Sequence, residues 1–482
     1  MKLSNILKGL KTKKIYNYED VNVDVMTHNS DDVIAGAMFF CVTGGHLDGN
    51  NYVAKALQNG AKVVVSERDQ ELPNCITIVV YNTRVAMSIM ARNFYGLSDE
   101  KLKKIAVVGT NGKTTTVSVI AEILKSSGKK VGVIGTNGVY INGSFLPNNF
   151  TTPDPIELHY MFSQMVAFGV EIVVMEVTAH AIYYNKIYGI KFDIGVFTNV
   201  TNEHLDFFGN MDNYIAVKKS IFDKSHMGVA IVNVDDQTGV DIAKSANIPV
   251  VSYGIYNPAN VFAVKISMSI NNCRFVVNAN DEIIKISTSL IGEYNVYNIL
   301  ASITVAKWMG VSNSVIEKSI LHIANVPGRL MQYSLSGNRK IIIDFAHTPD
   351  GFEKVLGLIK HLRRGRLKVV FGCVGYSDYA KRVAMGRIAG EMCDEVYITT
   401  DNLGYEDFDK SVKDISTDIA KDKIKECNAN RSEIIEHAYD SMESNDTLII
   451  LGKGVEDKQV VKNVKVPYCD VDVVERLVAR SK

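Results

Sequence analysis

The sequence predicts an α/β protein of three domains. Two patterns and one length argument carry that expectation. Short apolar, β-branched runs recur along the chain, and segments of helical length separate many of them, as in parallel sheets buried on both faces. One of these runs leads straight into a turn rich in glycine, lysine and threonine that opens a helix. At 482 residues the chain also exceeds what one hydrophobic core spans, and about 150 residues per domain gives about three.

The predicted strands are Ile105–Val108, Ile172–Met175, Ile194–Phe197, Val229–Val232, Ile341–Ile343, Val369–Phe371, Val396–Thr399 and Leu448–Leu451. Between the fourth and fifth, Val261–Leu290 alternates polar and apolar residues, which predicts an antiparallel meander appended to the parallel sheet. The polar stretch Gly96–Lys104 and the break at Pro327-Gly328 divide the chain into domains 1–100, 101–328 and 329–482. In parallel sheets ligands gather beyond the carboxyl ends of strands, so residues just after each run are the first candidates for function.

Composition sets outer limits. Hydrophobic residues make up 46% and charged residues 22%, as in a folded soluble protein. Fifty-three basic residues balance fifty-three acidic ones, so no basic field supports nucleic-acid binding. No apolar run approaches the ~18 residues of a spanning helix, so membrane insertion is not expected. The amino terminus lacks the apolar core of a signal peptide. Seven scattered cysteines, with no C-x-x-C pair, argue against a disulfide framework or structural zinc and point to a reducing cytoplasm.

The strand Ile105–Val108 runs into Gly109-Thr110-Asn111-Gly112-Lys113-Thr114-Thr115-Thr116, and Val117, Ile120, Ile123 and Leu124 continue at helical spacing to a stop at Gly128. Glycines let backbone N–H groups wrap a phosphate at a helix amino terminus, where the dipole is positive. Lys113 reaches the outer phosphates, and the Thr114 hydroxyl suits Mg²⁺. Val107 stands where the generic G-x-x-x-x-G-K-[ST] pattern has its first glycine, so the match is incomplete.

Further along, Glu176 follows an apolar strand, a place that suits Mg²⁺ ligation, although strand-terminal acids also cap helices. His204 follows the strand Ile194–Phe197 and reads as a second metal ligand or as a satisfied core histidine. Lys218, in the predicted helix Asn213–Phe222, reads by itself as a solvated surface lysine.

Taken together and in order, these segments resemble the Mur ligases, and within them the UDP-N-acetylmuramoyl-tripeptide synthetase type. The resemblance rests on the GTNGKTTT loop, TTPD from Thr151, MEVTAHA from Met175, FTNVTNEHLDFFGNMDNY from Phe197 and AVKKSIF from Ala216. It continues through GEYNVYN from Gly292, PGR from Pro327, IIDFAHTPDG from Ile342, GCVGYSDYAKR from Gly372, TTDN from Thr399 and GKGVEDKQ from Gly452. It implies an amino-terminal α/β domain for a uridine nucleotide sugar, a central P-loop ATPase domain and a carboxy-terminal Rossmann-like domain for an incoming amino acid. The implied reaction phosphorylates the carboxylate of a UDP-muramoyl peptide with ATP and replaces the phosphate with an amino acid's amine. ATP and Mg²⁺, as two ions, are the implied cofactors; UDP-muramoyl peptide, amino acid and ATP are the implied partners of a monomer.

Residue by residue, the resemblance implies that Gly109, Thr110, Asn111, Gly112, Lys113, Thr114 and Thr115 hold the phosphates. Asn295, Arg329 and Asp344 match positions around the adenine, phosphates and ribose. Thr114, Glu176, His204 and a carbamylated Lys218 match metal ligands, and Lys113, Glu176, His204 and Lys218 form the catalytic set. Ser30, Thr151, Thr152, Thr178 and Lys186 match the UDP-sugar-peptide side. His347, Arg382, Asp401, Asn402, Gly452 and Glu456 match the amino-acid side.

The chain departs from the family in both substrate pockets. Where enzymes adding meso-diaminopimelate carry D-N-P-R, this chain reads Asp401-Asn402-Leu403-Gly404, so the arginine that forks onto the distant carboxylate is absent and that amino acid is disfavoured. D-S-R reads Asn29-Ser30-Asp31, an arginine becomes Lys186, and G-G-D-R-D becomes Val374-Gly375-Tyr376-Ser377-Asp378. A paralogue using a different carboxylate is therefore a second reading. A folylpolyglutamate-synthetase-like ligase is a third, set apart by the first hundred residues, where Ala37–Gly45 leading to His46-Leu47-Asp48-Gly49 resembles the uridine-nucleotide domain that folate ligases lack. Lys113 and Glu176, both present, argue against a catalytically silent scaffold.

Overall fold

The computed structural model of the chain describes residues 1–44, 48–148, 150–376, 378–462 and 464–480. Gly45, His46, Leu47 and Ser377, which belong to segments of the family resemblance, lie outside the described residues. The fold is α/β with three main sheets. Proximity along the backbone groups the chain into two compact units, 1–264 with 277–284 and 297–319, and 265–276 with 285–296 and 320–482.

The first unit holds two of the sheets. The smaller runs in the order Thr12–Tyr16, Ile76–Val80, Val63–Ser66, Met38–Phe40, Met26–Thr27, with only the first strand antiparallel. Period-two alternation splits its residues between two cores: Met38, Phe40, Val63, Val65 and Ile78 face one way, and Phe39, Cys41 and Val64 the other. The larger sheet is parallel in the order Val250–Gly254, Met227–Asn233, Phe192–Phe197, Lys103–Val108, Ile172–Val177, Val131–Gly135. A hairpin, Gly138–Ile141 and Ser144–Leu146, closes one edge antiparallel. Ile105 through Val108 are buried, as a central strand flanked by helices requires.

The second unit is built on a six-stranded sheet ordered Met331–Ser334, Lys340–Asp344, Thr447–Leu451, Leu367–Phe371, Glu395–Ile398, Ile424–Cys427, with only the first strand antiparallel. Ile342, Val369, Val396 and Ile449 pack into one core, and Ile341, Val370, Tyr397 and Leu448 into the other. Thr447–Leu451 returns late in the chain to lie between Lys340–Asp344 and Leu367–Phe371, so the carboxyl ends of strands from distant sequence converge. The predicted meander forms as Val261–Met268, Cys273–Ala279 and Glu282–Thr288, each divided between the two units.

Two element boundaries moved. Parallel pairing with Lys103–Val108 carries the strand from Ile172 through Val177, past Met175 where the pairing with Val131–Gly135 stops, so Glu176 lies within it, opposite Val107, rather than just beyond its end. The helix expected over Asn213–Phe222 runs Met211–Lys219, because the Asn210 side chain accepts from Asn213 N and caps it earlier.

Candidate active site

The strand Lys103–Val108 turns at Gly109 into the helix Lys113–Ser126, and Gly128, at φ +86°, ends it in the left-handed region. A Cβ at Gly109 would fall 1.9 Å from Thr198 Oγ1, so the loop passes that side chain only as glycine. Gly112 has φ +84° and would place a Cβ 2.2 Å from Asn298 Oδ1. The loop is laced to the turn after the neighbouring strand. Thr110 N donates to Asn199 O at 2.8 Å, Asn111 N to Asn199 Oδ1 at 3.0 Å, and Thr198 Oγ1 to Asn111 O at 2.7 Å. Lys113 folds its ammonium back onto the carbonyls of Gly109 (3.0 Å) and Thr110 (2.8 Å), so the cation is held against the loop.

Beside the loop, Glu176 is buried. Its carboxylate accepts from Thr136 N at 2.8 Å and Thr136 Oγ1 at 3.3 Å, and Gly135 leaves the room it occupies: a Cβ there would lie 2.4 Å from Glu176 Oε1. Thr151 meets Thr136 Oγ1 at 3.0 Å, while Thr152 Oγ1 donates to Glu176 O at 2.9 Å and accepts from Thr178 N at 3.1 Å. The predicted residues Thr151, Thr152, Thr178 and Glu176 therefore form one hydroxyl-rich patch.

Lys218 is not a surface lysine. It is 1% exposed, donates to Gly109 O at 2.7 Å, and lies 4.5 Å from the Tyr214 ring centroid. Burial, and then the charge of Lys113, hold its ammonium well below the ordinary lysine range, against a weaker pull from Glu203. His204, at φ +57°, is exposed and sets its ring 4.7 Å from that of His180 and 6.3 Å from that of Tyr214.

On the expected sugar-peptide side, Lys186 is closed against Asp154 at 3.1 Å, with both side chains buried, and its ammonium sits 4.2 Å from the Phe150 ring. Ser30 is buried in a single helical turn capped by Asn29, and the neighbouring Asp31 pairs with Lys55.

The second unit carries the remaining candidates. Asp344 ends the strand Lys340–Asp344 and accepts from Leu330 N (2.8 Å) and Ala346 N (2.7 Å); burial raises its carboxyl, against the opposing charge of Arg329. Arg329 lies 5.1 Å from the Phe345 ring, His347 Nδ1 meets Phe345 O at 2.9 Å, and Asn295 is buried with its amide on Ile291 O at 2.7 Å. At neighbouring strand ends, Asn402 Nδ2 donates to Glu456 Oε2 at 3.2 Å, and Gly452, at φ +112°, faces Asp401. The fully buried Lys453 sits among them, 2.8 Å from Glu456 Oε2, 3.3 Å from Asn402 Oδ1 and 3.6 Å from Asp401 Oδ1. Gly404, at φ +61°, is hydrogen-bonded on both sides to the hairpin strand, donating to Val460 O and accepting from Lys462 N. Arg382 departs from expectation. It is 1% exposed and paired with Glu406 and with Asp414 at 3.1 Å, so its guanidinium is held by the protein's own acids.

Asn298, Thr136 and Lys453 were not singled out by the sequence reading. Asn298 lies in the quoted GEYNVYN segment and Lys453 in GKGVEDKQ, so both had a signal; Thr136 had none, since its bond to Glu176 spans 40 residues.

The donor chemistry fits Mg²⁺. The Glu176 carboxylate keeps lone pairs beyond those used by Thr136, and Thr114 adds a hydroxyl, the hard-oxygen set this ion takes together with phosphates and water. Among the described residues no group of three or more His, Cys, Asp or Glu side chains could hold a metal ion. Lys218 offers oxygen ligands only as a carbamate.

Comparison with known proteins agrees with this geometry. Residues 107–306 match the family described as Mur ligase middle domain, 328–454 the Mur ligase glutamate ligase domain, and 22–95 the Mur ligase family catalytic domain. The UDP-N-acetylmuramoyl-L-alanyl-D-glutamate–2,6-diaminopimelate ligase 1 of Clostridium acetobutylicum is 34% identical over 481 residues, covering 99% of each chain. A solved structure of a UDP-N-acetylmuramoyl-L-alanyl-D-glutamate–2,6-diaminopimelate ligase superposes with a TM-score of 0.70 at 25% identity, covering 100% of this chain and 99% of that one. Folylpolyglutamate synthase of Mycobacterium tuberculosis shares the fold at a TM-score of 0.64 and 16% identity, but over only 77% of this chain and 92% of its own.

Proposed function

The chain belongs to the Mur ligase family, and from that premise we propose that it is an ATP-dependent ligase that adds an amino acid to UDP-N-acetylmuramoyl-dipeptide in peptidoglycan precursor synthesis. The observation that carries the reading is the Gly109–Thr116 loop, with Lys113 folded onto it and Lys218 buried against its carbonyl. Backbone N–H groups of the loop and the Lys113 ammonium hold the nucleotide's phosphates and offset the charge of the transferring phosphoryl group. Mg²⁺, as two ions, would be held through Thr114 and Glu176, with His204 and Lys218 for the second, and would supply further charge neutralisation. The substrate carboxylate takes the terminal phosphoryl group as ADP departs. The amino acid's amine then attacks the acyl carbon, phosphate leaves with the bonding electrons, and the nitrogen gives up a proton. The phosphate converts a poor leaving group into a good one, and the sites at Asp401, Asn402, Gly452 and Glu456 hold and orient the amino acid.

Lys218 is the carbamylated position. CO₂ reacts with a neutral amine, and the buried, depressed ammonium supplies one. Activity of protein freed of CO₂ should fall and return on adding bicarbonate; an intact-mass spectrum without the carbamate under active conditions would refute this.

The domains are 1–100, 101–328 and 329–482, and the enzyme acts in the cytoplasm as a monomer. With Gly404 in place of an arginine, and Asp401 and Glu456 in the pocket, meso-diaminopimelate is not its best substrate, and Glu456 suits an amine at the far end of the amino acid. The test is an amino-acid panel with UDP-N-acetylmuramoyl-dipeptide and ATP, read by phosphate release and product mass. Phosphate release that needs carboxylate and amino acid together supports the ligase. Absence of that dual requirement across the panel refutes it, and a strong preference for meso-diaminopimelate refutes the selectivity. The pairing of Lys186 with Asp154 and of Asp31 with Lys55 favours a second reading, a paralogue that takes a different carboxylate, which the assay detects as dual-dependent phosphate release only when another carboxylate replaces the muramoyl dipeptide.

A further inference from the structure

In the second unit one buried cation ties the end of one strand to the turn that follows another. Arg431 opens the helix Arg431–Asp440, and neither its side chain nor that of Asp470 is exposed to solvent. Arg431 Nε and Nη2 fork onto Asp470 Oδ1 and Oδ2, both at 2.8 Å. Its remaining donors point at main-chain carbonyls: Nη1 at Thr400 O (3.2 Å) and Nη2 at Leu451 O (2.9 Å). Thr400 directly precedes Asp401 and Leu451 directly precedes Gly452. One guanidinium thus fixes the last carbonyl of the strand Thr447–Leu451 and a carbonyl two residues beyond the strand Glu395–Ile398, each directly before a proposed amino-acid-binding residue. Asp470 opens the last helix, Asp470–Arg480, and takes a further hydrogen bond from Tyr468 OH at 2.7 Å.

A buried ion pair of this kind is weak as a source of stability, because desolvation offsets most of the attraction; what it supplies is a defined arrangement. A planar fork with five donors can satisfy a carboxylate and two carbonyls at once, whereas a lysine offers a point charge that cannot span them. Resting on the ligase reading above, we propose that Arg431, locked by Asp470, is a positioning residue of the amino-acid pocket, holding Asp401 and Gly452 in register.

The test compares full-length wild type, Arg431→Lys and Tyr468→Phe by steady-state kinetics with each substrate varied in turn. Arg431→Lys should raise KM for the amino acid roughly tenfold, since small misplacements of positioning groups cost that order, and leave KM for ATP within about twofold. Tyr468→Phe, which removes the hydroxyl that bonds Asp470 and interacts with Arg431 while leaving the fork itself, should raise the amino-acid KM by a smaller factor of about two to three. A lower melting temperature with unchanged KM values, or KM for ATP and amino acid rising together, would overturn the proposal. If Arg431→Lys does not fold, an unchanged amino-acid KM in Tyr468→Phe overturns it. Wild type that fails to turn over with any amino acid would refute the ligase reading itself, which is a different result from active wild type with indifferent variants.

Discussion

Gly112 carries two constraints at one residue. Its φ of +84° costs an L-residue about 1–2 kcal/mol, and a Cβ would lie 2.2 Å from Asn298 Oδ1, the acceptor for Thr116 Oγ1 at 3.3 Å. Gly112→Ala should therefore displace Asn298 and loosen the first helical turn, raising the Kd for ATP about tenfold or more while the protein still folds; competition of ATP with a fluorescent nucleotide measures it. The loop was legible because its residue types each suit a local job: glycine a positive φ, and lysine and hydroxyl the phosphate and metal proposed there. Lys218 was legible only through family resemblance, since nothing in its neighbours' sequence announces that Tyr214 and Gly109 close over it. Arg382 shows the converse, a position matched to a substrate contact whose charge is taken by Glu406 and Asp414 from 24 and 32 residues away.

Among the elements, the helix Pro155–Ala167 starts where Pro155 follows Asp154 and where Glu157 accepts from Asp154 N at 3.0 Å. It buries His159, 1% exposed, against Phe162, and among the described residues neither ring nitrogen has a hydrogen-bond partner. Burial pushes the imidazole down to about 4, with Asp99 opposing and Arg92 reinforcing. The unfolded chain therefore binds a proton below about pH 6.5 that the folded one refuses, so this contribution is complete above that pH and is lost on acidification toward 4. By pH 5 the loss is about 2 kcal/mol, and His159→Phe should flatten the difference between urea denaturation at pH 7.5 and pH 5 by that order. An equally steep loss in the variant would contradict this. Strand and helix existence was readable from periodicity, but the extension through Glu176 was not, because pairing with the strand Lys103–Val108, distant in sequence, decides it.

At the scale of the whole molecule, the expected boundary at residues 328 and 329 follows sequence punctuation, whereas packing follows contacts. Ile291, fully buried, lies in the same core as Ile342, Val369 and Phe352, with Tyr294 and Met268 packed against it. Ile291→Ala should accordingly destabilise the second unit by about 2–4 kcal/mol in denaturant titration, although position 291 precedes the boundary read from sequence. Strands of the two larger sheets were foreseeable from the recurrence of apolar runs; those of the sheet within residues 12–80 were not named, and the interleaving of two units along the chain was not foreseen, since no local composition marks it. The chain passes from one unit to the other between residues 264 and 265, 276 and 277, 284 and 285, 296 and 297, and 319 and 320. Every one of those passages falls inside a strand or helix, never in a connecting loop. Transplanting a relative's carboxy-terminal half to alter selectivity would strand two short pieces of its core on the wrong side of any single splice. Useful chimaeras must instead graft the strand-end turns 372–376, 401–406 and 452–456, leaving the interwoven scaffold whole.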